Sequence, residues 1–263
     1  MLILTRTDKQ TQDRTTCVLV HGAWHGSWCW KRIRKNLQDA GHQVFTPTLT
    51  GLGERSHLNS PAVNLSTHIA DVVQLLRWED LSNVILCGHS YAGFVISGVA
   101  DRVPERIRML VYLDAFVPED GECVFDLHSP ERAQQMRLQA QVAGNGWNVP
   151  PIPAERFKLN PPDAPWVNAQ CTSQSIASFE EPIRLNRAPS HTHDGAHILA
   201  TGWDNSPFRA AHERAKAKGW KTRTVSCGHE VMLDVPGELT NLLLELIRSE
   251  APIQSYEENE HVA

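Results

Sequence analysis

Residues 83–100 read NVILCGHSYAGFVISGVA. An apolar run closes at Gly88. His89, Ser90, Tyr91, Ala92 and Gly93 follow, and the apolar spacing then becomes helical. A buried strand that turns sharply into a helix leaves one side chain at the tip of the turn, over the strand's carboxyl end. Here that side chain is Ser90. Such a turn presses backbone against the new helix, so small residues are needed on both sides of the serine. Gly88 supplies the first, and Ala92, with Gly93 beside it, stands at the second. The helix N-terminus also favours negative charge developing near the serine. Gly-x-Ser-x-Ala alone occurs by chance; set between a strand and a helix, it points to a nucleophile.

A serine hydroxyl needs a base, and the base needs an orienting acid. KTRTVSCGHEVML (221–233) reads as the last strand followed by Gly228-His229, which places His229 beyond the strand end as the candidate base. Two acids precede it. Asp114 closes the strand in MLVYLDAFVP, and Asp204 lies in the turn ATGWDNSPF. A strand end holds a side chain more rigidly than a turn. Asp114 is therefore preferred by a small margin, with Asp204 a near-equal rival. His89, next to the serine, is read as structural. The histidines of SHTHDGAH (190–197) read as a loop of surface residues rather than metal ligands. No metal or other cofactor is expected.

Around these residues, strand candidates at 16–21, 43–46, 83–88, 108–114, 196–201 and 222–227 alternate with helical patterns near 28–40, 66–80, 91–101, 206–218 and 236–249. The alternation predicts an α/β fold: a mostly parallel sheet with helices on both faces, binding its ligand at the carboxyl ends of the strands. It fails over 118–189, where prolines are too dense for central strands and a single helical pattern (130–142) appears. That segment is expected to be a cap inserted over the sheet edge. The core is then 15–117 with 190–250, and 1–14 and 251–263 are polar tails.

The 263 residues are 41% apolar and 21% charged, an ordinary globular composition. The net charge of -5 and the lack of any basic run argue against nucleic acid. No apolar stretch is long enough for a bilayer, and the N-terminus lacks signal-peptide order; a cytoplasmic protein is expected, and a homodimer is left open. None of the six cysteines forms a CxxC pair, so buried, reduced thiols are expected.

HGAWHGSWCW (21–30) follows the first strand. Acyl transfer needs two backbone N–H groups aimed at the oxyanion: one from the residue after the nucleophile, Tyr91, and one from an earlier strand's loop. Gly22 lets Ala23 present the second. Trp24, Trp28 and Trp30 are expected to pack the loop and line the pocket. Phe116 and, from the cap, Trp147 and Trp166 are further lining candidates.

Taken together, HGAWHGSWCW, TPTLTGLGERSHL (46–58), GHSYAG (88–93), VYLDAFVPEDGE (111–122) and CGHEVML (227–233) resemble small bacterial α/β-hydrolase esterases. These in turn are similar to the plant methylesterase and hydroxynitrile lyase family. The resemblance covers about residues 15–250. It implies an α/β-hydrolase fold with a helical cap, and a cofactor-independent hydrolase, without supplying a substrate; the reading adopted is a serine hydrolase of a small, largely apolar ester. In the plant enzymes the acid occupies about the slot of Asp204. The lyases carry threonine where this chain has Gly22, and lysine where it has Glu230. A carboxylate cannot stabilise a leaving cyanide, so the departures favour ester hydrolysis. Carbamate or amide hydrolysis by the same machinery stays open, as does a non-catalytic small-ligand receptor on this fold.

Overall fold

The computed structural model describes residues 14–186, 193–203 and 206–249. Its strands are β1 (Thr16–Val20), β2 (Gln43–Phe45), β3 (Val84–His89), β4 (Ile107–Leu113), β5 (Asn148–Val149), β6 (Gln174–Ser175), β7 (Asp194–Ala200) and β8 (Lys221–Val225). The helices are α1 (Lys31–Asp39), α2 (Leu65–Trp78), α3 (Ala92–Arg102), α4 (Pro130–Ala143), α5 (Ala164–Gln170), α6 (Ala177–Glu180), α7 (Phe208–Ala217), α8 (Val231–Asp234) and α9 (Pro236–Ser249). One sheet runs in the order β2-β1-β3-β4-β7-β8, and every pairing in it is parallel.

Alternation along the strands builds two cores, because successive side chains leave opposite faces. Val18, Val20, Leu86, Leu110 and Tyr112 join one cluster with residues of α2, α3 and α7. Cys17, Leu19, Ile85, Cys87, Met109 and Val111 join the other with α1 and α9. A sheet buried on both faces explains why its central strands read as nearly unbroken apolar runs.

Strand β3, which leads into Ser90, sits between β1 and β4, so the loops leaving these three strands converge on one edge. Between β4 and β7 the described chain forms a turn of 3-10 helix (Val124–Leu127), α4, the antiparallel pair β5–β6, a second 3-10 turn (Ala154–Phe157), α5 and α6. This is more helix than the single expected pattern. Pro130 and Pro165 do not prevent it, because both α4 and α5 carry proline in the first turn, where no backbone N–H is required. All six cysteines are free. No described helix is long and apolar enough to cross a membrane.

Candidate active site

Ser90 leaves β3 with φ +56°, in the left-handed region that few non-glycine residues occupy. Its N–H donates to Leu113 O (3.2 Å), and its carbonyl accepts from the N–H groups of Gly93 (3.1 Å) and Phe116 (3.3 Å). A Cβ at Gly88 would lie 2.7 Å from Ala92 O, and one at Gly93 would lie 2.0 Å from Phe116 O. The elbow therefore demands glycine at 88 and at 93. Position 93 is the tighter of the two because α3 starts against the backbone of Phe116. Tyr91, at the head of α3, has an N–H with no acceptor inside the helix.

Asp114 leaves the neighbouring strand β4 at φ +39°. Its carboxylate is fully buried and receives three donors. His229 Nδ1 is 2.6 Å from Oδ2, Trp203 Nε1–H donates to the same oxygen (3.1 Å), and Ala200 N–H donates to Oδ1 (3.1 Å). Burial pushes the Asp114 carboxyl above its ordinary value, while these donors pull the other way. The His229 ring stacks on Phe208 at 5.1 Å and also meets Trp203 and Phe157. Its backbone N–H donates to Phe157 O (2.9 Å), a contact from the segment between β4 and β7. Gly228 permits that approach, since a Cβ there would lie 2.6 Å from Phe157 O. The rival acid Asp204 lies outside the described residues.

The loop after β1 is stitched down by its two histidines. Burial pushes His21 down to about 3, so it is neutral. Its Nδ1–H donates to Gly22 O (2.8 Å) and Nε2 accepts from Leu49 N–H (3.0 Å). Burial also disfavours charge on His25, but the buried carboxylate of Glu230 raises it to about 10. His25 Nε2 stands 3.4 Å from Glu230 Oε2, and Nδ1–H donates to Ala23 O (2.7 Å). Trp24, at φ +64°, is held by its N–H on Gln174 Oε1 (3.0 Å) and its indole N–H on Val149 O (3.0 Å). Gly22 has no room for a side chain: a Cβ would lie 2.9 Å from His89 Nδ1 and 3.0 Å from Ser90 Cβ. No protein group accepts the Ala23 or Tyr91 N–H among the described residues.

His89 Nε2–H donates to the carbonyl of His229 (3.0 Å), and burial holds His89 well below its ordinary value. With His229 and Glu230 it forms a group of three compact enough to share a cation. Each of the three also has a protein partner: Asp114 for His229, the His229 carbonyl for His89, and His25 for Glu230.

A cavity of about 860 Å³ brings Ser90, His229, Ala23, Tyr91, Trp24 and Phe116 into one wall. Met136, Phe157 and Phe179, from the segment between β4 and β7, cover it. Trp28, Trp147 and Trp166 stand outside this wall. Trp28 stacks on His25 at 4.9 Å and meets the half-exposed Trp166 edge-on at 5.1 Å, so these indoles back the loop rather than the ligand space. Trp30 is fully buried in the second core. His197, expected at the surface, is buried, because β7 starts at Asp194 rather than 196. Its Nε2–H donates to Ala115 O (3.0 Å), and its Nδ1 meets His212 Nδ1 at 3.1 Å. His191 lies outside the described residues.

Sequence reasoning missed Glu230 and His25 as a pair and Trp203 as a donor to the acid. An acidic residue after a candidate base and a histidine two positions after an oxyanion candidate were the signals present, but nothing local joins them.

A family model described as "Alpha/beta hydrolase family" matches residues 17–242. The chain belongs to the alpha/beta hydrolase family. Among relatives of this alpha/beta hydrolase, the "Carbendazim hydrolyzing esterase" of Nocardioides sp. (strain SG-4G) is 45% identical over 240 residues, 87% of this chain and 98% of that protein. "Putative methylesterase 14, chloroplastic" of Arabidopsis thaliana is 32% identical over 139 residues, 51% of this chain and 40% of that protein. Among solved structures, an extracellular alpha/beta-hydrolase from a Paenibacillus species superimposes with TM-score 0.77 at 23% identity, over 88% of this chain and 98% of that one. At that identity the likeness is one of fold.

Proposed function

We propose that this alpha/beta hydrolase is a serine esterase that cleaves a small, largely apolar carboxylic ester through an acyl-enzyme. Ser90 is the nucleophile, His229 the base and Asp114 the acid. The observation that carries the reading is the 2.6 Å contact between His229 Nδ1 and Asp114 Oδ2 in the wall of the cavity that Ser90 also lines. His229 Nε2 takes the Ser90 proton as Oγ attacks the ester carbonyl. The Ala23 and Tyr91 N–H groups receive the oxyanion. Collapse expels the alcohol, which takes the proton from His229, and water repeats the sequence to release the acid. Asp114 fixes the tautomer of His229 and stabilises the imidazolium.

The segment 118–189 serves as the cap that excludes water. The Nocardioides and Arabidopsis relatives are both named as esterases, which supports hydrolysis over a receptor role. The name of the Nocardioides relative favours a second reading with the same machinery, in which the bond cleaved belongs to a carbamate such as carbendazim. Cyanohydrin cleavage is disfavoured, because Gly22 has no room for a threonine and Glu230 replaces the cation.

Hydrolysis of 4-nitrophenyl butyrate by the wild type and by Ser90→Ala tests the reading, with carbendazim assayed alongside. Turnover by the wild type and background rates in the variant are expected. A variant that works at near the parent rate removes Ser90 from the chemistry, and a wild type inert on all esters and carbamates leaves the receptor reading.

A further inference from the structure

Three arginines from three different elements line the same cavity as Ser90: Arg132 in the first turn of α4, Arg156 in the 3-10 turn Ala154–Phe157, and Arg209 in the first turn of α7. Among the described residues, none of them meets a carboxylate. Arg132 donates to Gln135 Oε1 (2.9 Å), and the side chains of Arg156 and Arg209 have no protein acceptor. Among the described residues six other arginines meet a carboxylate, including Arg32 with Asp163, Arg137 with Glu180, Arg214 with Glu122 and Arg223 with Glu245, while Arg34 donates to Thr46 and Arg108 to the Ile247 carbonyl.

Their placement also runs against local helix energetics. A cation in a first turn opposes the helix dipole, which favours acids there, and α7 has no acidic residue in its first turn. Arg132 is partly buried and faces Arg156, and both effects pull its guanidinium below the ordinary value. The nearby His128 is held at about 4 by burial and by Arg132, so it is neutral and adds a hydrogen-bonding ring without offsetting the charge. The carboxylate in the cavity wall, Glu230, cannot offset it either, since its oxygens are sealed from solvent and Oε2 lies 3.4 Å from His25 Nε2.

We propose that these arginines make the cavity an anion-binding one, and that the substrate class is an ester bearing a carboxylate remote from the bond that is cleaved. The inference rests on the esterase reading for its reaction, not for its binding. The three arginines sit on elements other than those that carry Ser90, Asp114 and His229. An anion held by them therefore places the rest of the molecule, and its ester, along the apolar lining that includes Phe116, Met136 and Phe179. Guanidinium groups suit a carboxylate because they present paired donors in one plane.

Monomethyl terephthalate and methyl 4-methylbenzoate test this. They match in shape and differ by a carboxylate for a methyl group. The wild type is expected to favour the half-ester in kcat/KM by about tenfold or more, the scale of one charge-assisted hydrogen bond. The preference is expected to shrink as salt is raised, because these cations are solvent-accessible. In the double variant Arg156→Gln, Arg209→Gln the ratio between the two substrates is expected to fall about tenfold, mainly through KM. Binding of both compounds to Ser90→Ala protein, followed by calorimetry with and without the two arginine substitutions, reads the subsite independently of turnover. Equal binding of the two compounds, or a ratio that ignores the arginine substitutions, overturns the subsite even if both esters are hydrolysed. Selective binding without any turnover keeps the subsite and removes the esterase reading.

Discussion

Glu230→Gln separates two roles that meet at one residue. Glu230 is fully buried and His25 is 3% exposed, and their 3.4 Å contact ties the loop after β1 to the loop that carries His229. Removing one partner of a buried ion pair costs roughly 3–5 kcal/mol. The proton affinity of His25 points the same way: burial disfavours its charge, and Glu230, together with Cys171 and the Ala23 carbonyl, more than offsets that. Its proton affinity rises from an ordinary 6.5 to about 10 on folding. At pH 7 a shift from 6.5 to 10 corresponds to about 4 kcal/mol, at about 1.36 kcal/mol per unit. Because the folded value is the raised one, this stability is fully present below pH 6.5 and is lost as pH climbs through 10. Over that window the folded state holds one more proton than the unfolded state, so the contribution falls by about 1.4 kcal/mol per pH unit.

Urea unfolding followed by the fluorescence of the eight tryptophans reads this directly. The stability difference between wild type and Glu230→Gln is expected to be about 4 kcal/mol at pH 7 and to shrink steadily towards pH 10, while other titrating groups cancel in the difference. The same substitution frees His25 from its anchor, and His25 holds the carbonyl of Ala23, the residue that offers one oxyanion donor. A displacement of about 1 Å there lowers kcat by up to about a hundredfold. A variant that unfolds at the parent urea concentration across pH 6.5–10, or a difference that does not change with pH, refutes the account of the pair.

Asp114→Asn is expected to remove about three to four orders of magnitude in turnover, and Asp204→Asn less than tenfold; one activated ester and circular dichroism decide between the two acids. Gly93→Ala forces a methyl group into Phe116 O and is expected to lower stability by at least about 1–3 kcal/mol, read as a drop in the urea midpoint. Mandelonitrile is expected to release no cyanide above background, and release at a rate comparable with ester hydrolysis would count against the reading of Gly22 and Glu230.

The sheet was legible because its strands are buried on both faces: Val84 to His89 and Ile107 to Leu113 are short apolar runs with few other conformations open to them. Ser90 was legible because it follows such a run directly, and His229 because it stands just beyond the last strand candidate, although β8 itself is short, largely polar and ends at Val225. What escaped depends on contacts between distant segments. The tightest glycine of the elbow is Gly93 rather than position 92, and only the path of the chain at Phe116 makes it so. His25 and Glu230 are joined by folding alone. Trp28 and Trp166 read as pocket residues because aromatic density marks both pockets and loop packing, and only their mutual edge-on contact tells which it is. His197 read as a loop residue because the polar SHTHD preceding it masks the start of β7.

The backbone strain in this edge of the sheet has a pattern that bears on the choice of test. Non-glycine residues with positive φ follow β1, β3 and β4, which are neighbours in the sheet: Trp24, Ser90 and Asp114. Each costs on the order of 1–3 kcal/mol and persists only where the surroundings over-determine it. The surroundings do so here through the backbone N–H of each residue, which is tied to a different element: Trp24 to Gln174, Ser90 to Leu113 O and Asp114 to Ile198 O. Strain gathered at three adjacent strand ends is what aims the loop after β1, Ser90 and Asp114 at one space. It also explains why Asn is the right replacement at position 114. Asp and Asn are the residues that tolerate a positive φ best after glycine, so Asp114→Asn keeps the turn and removes only the charge. An alanine there would add backbone strain to the loss of charge, and a dead variant would then say nothing about which of the two had mattered.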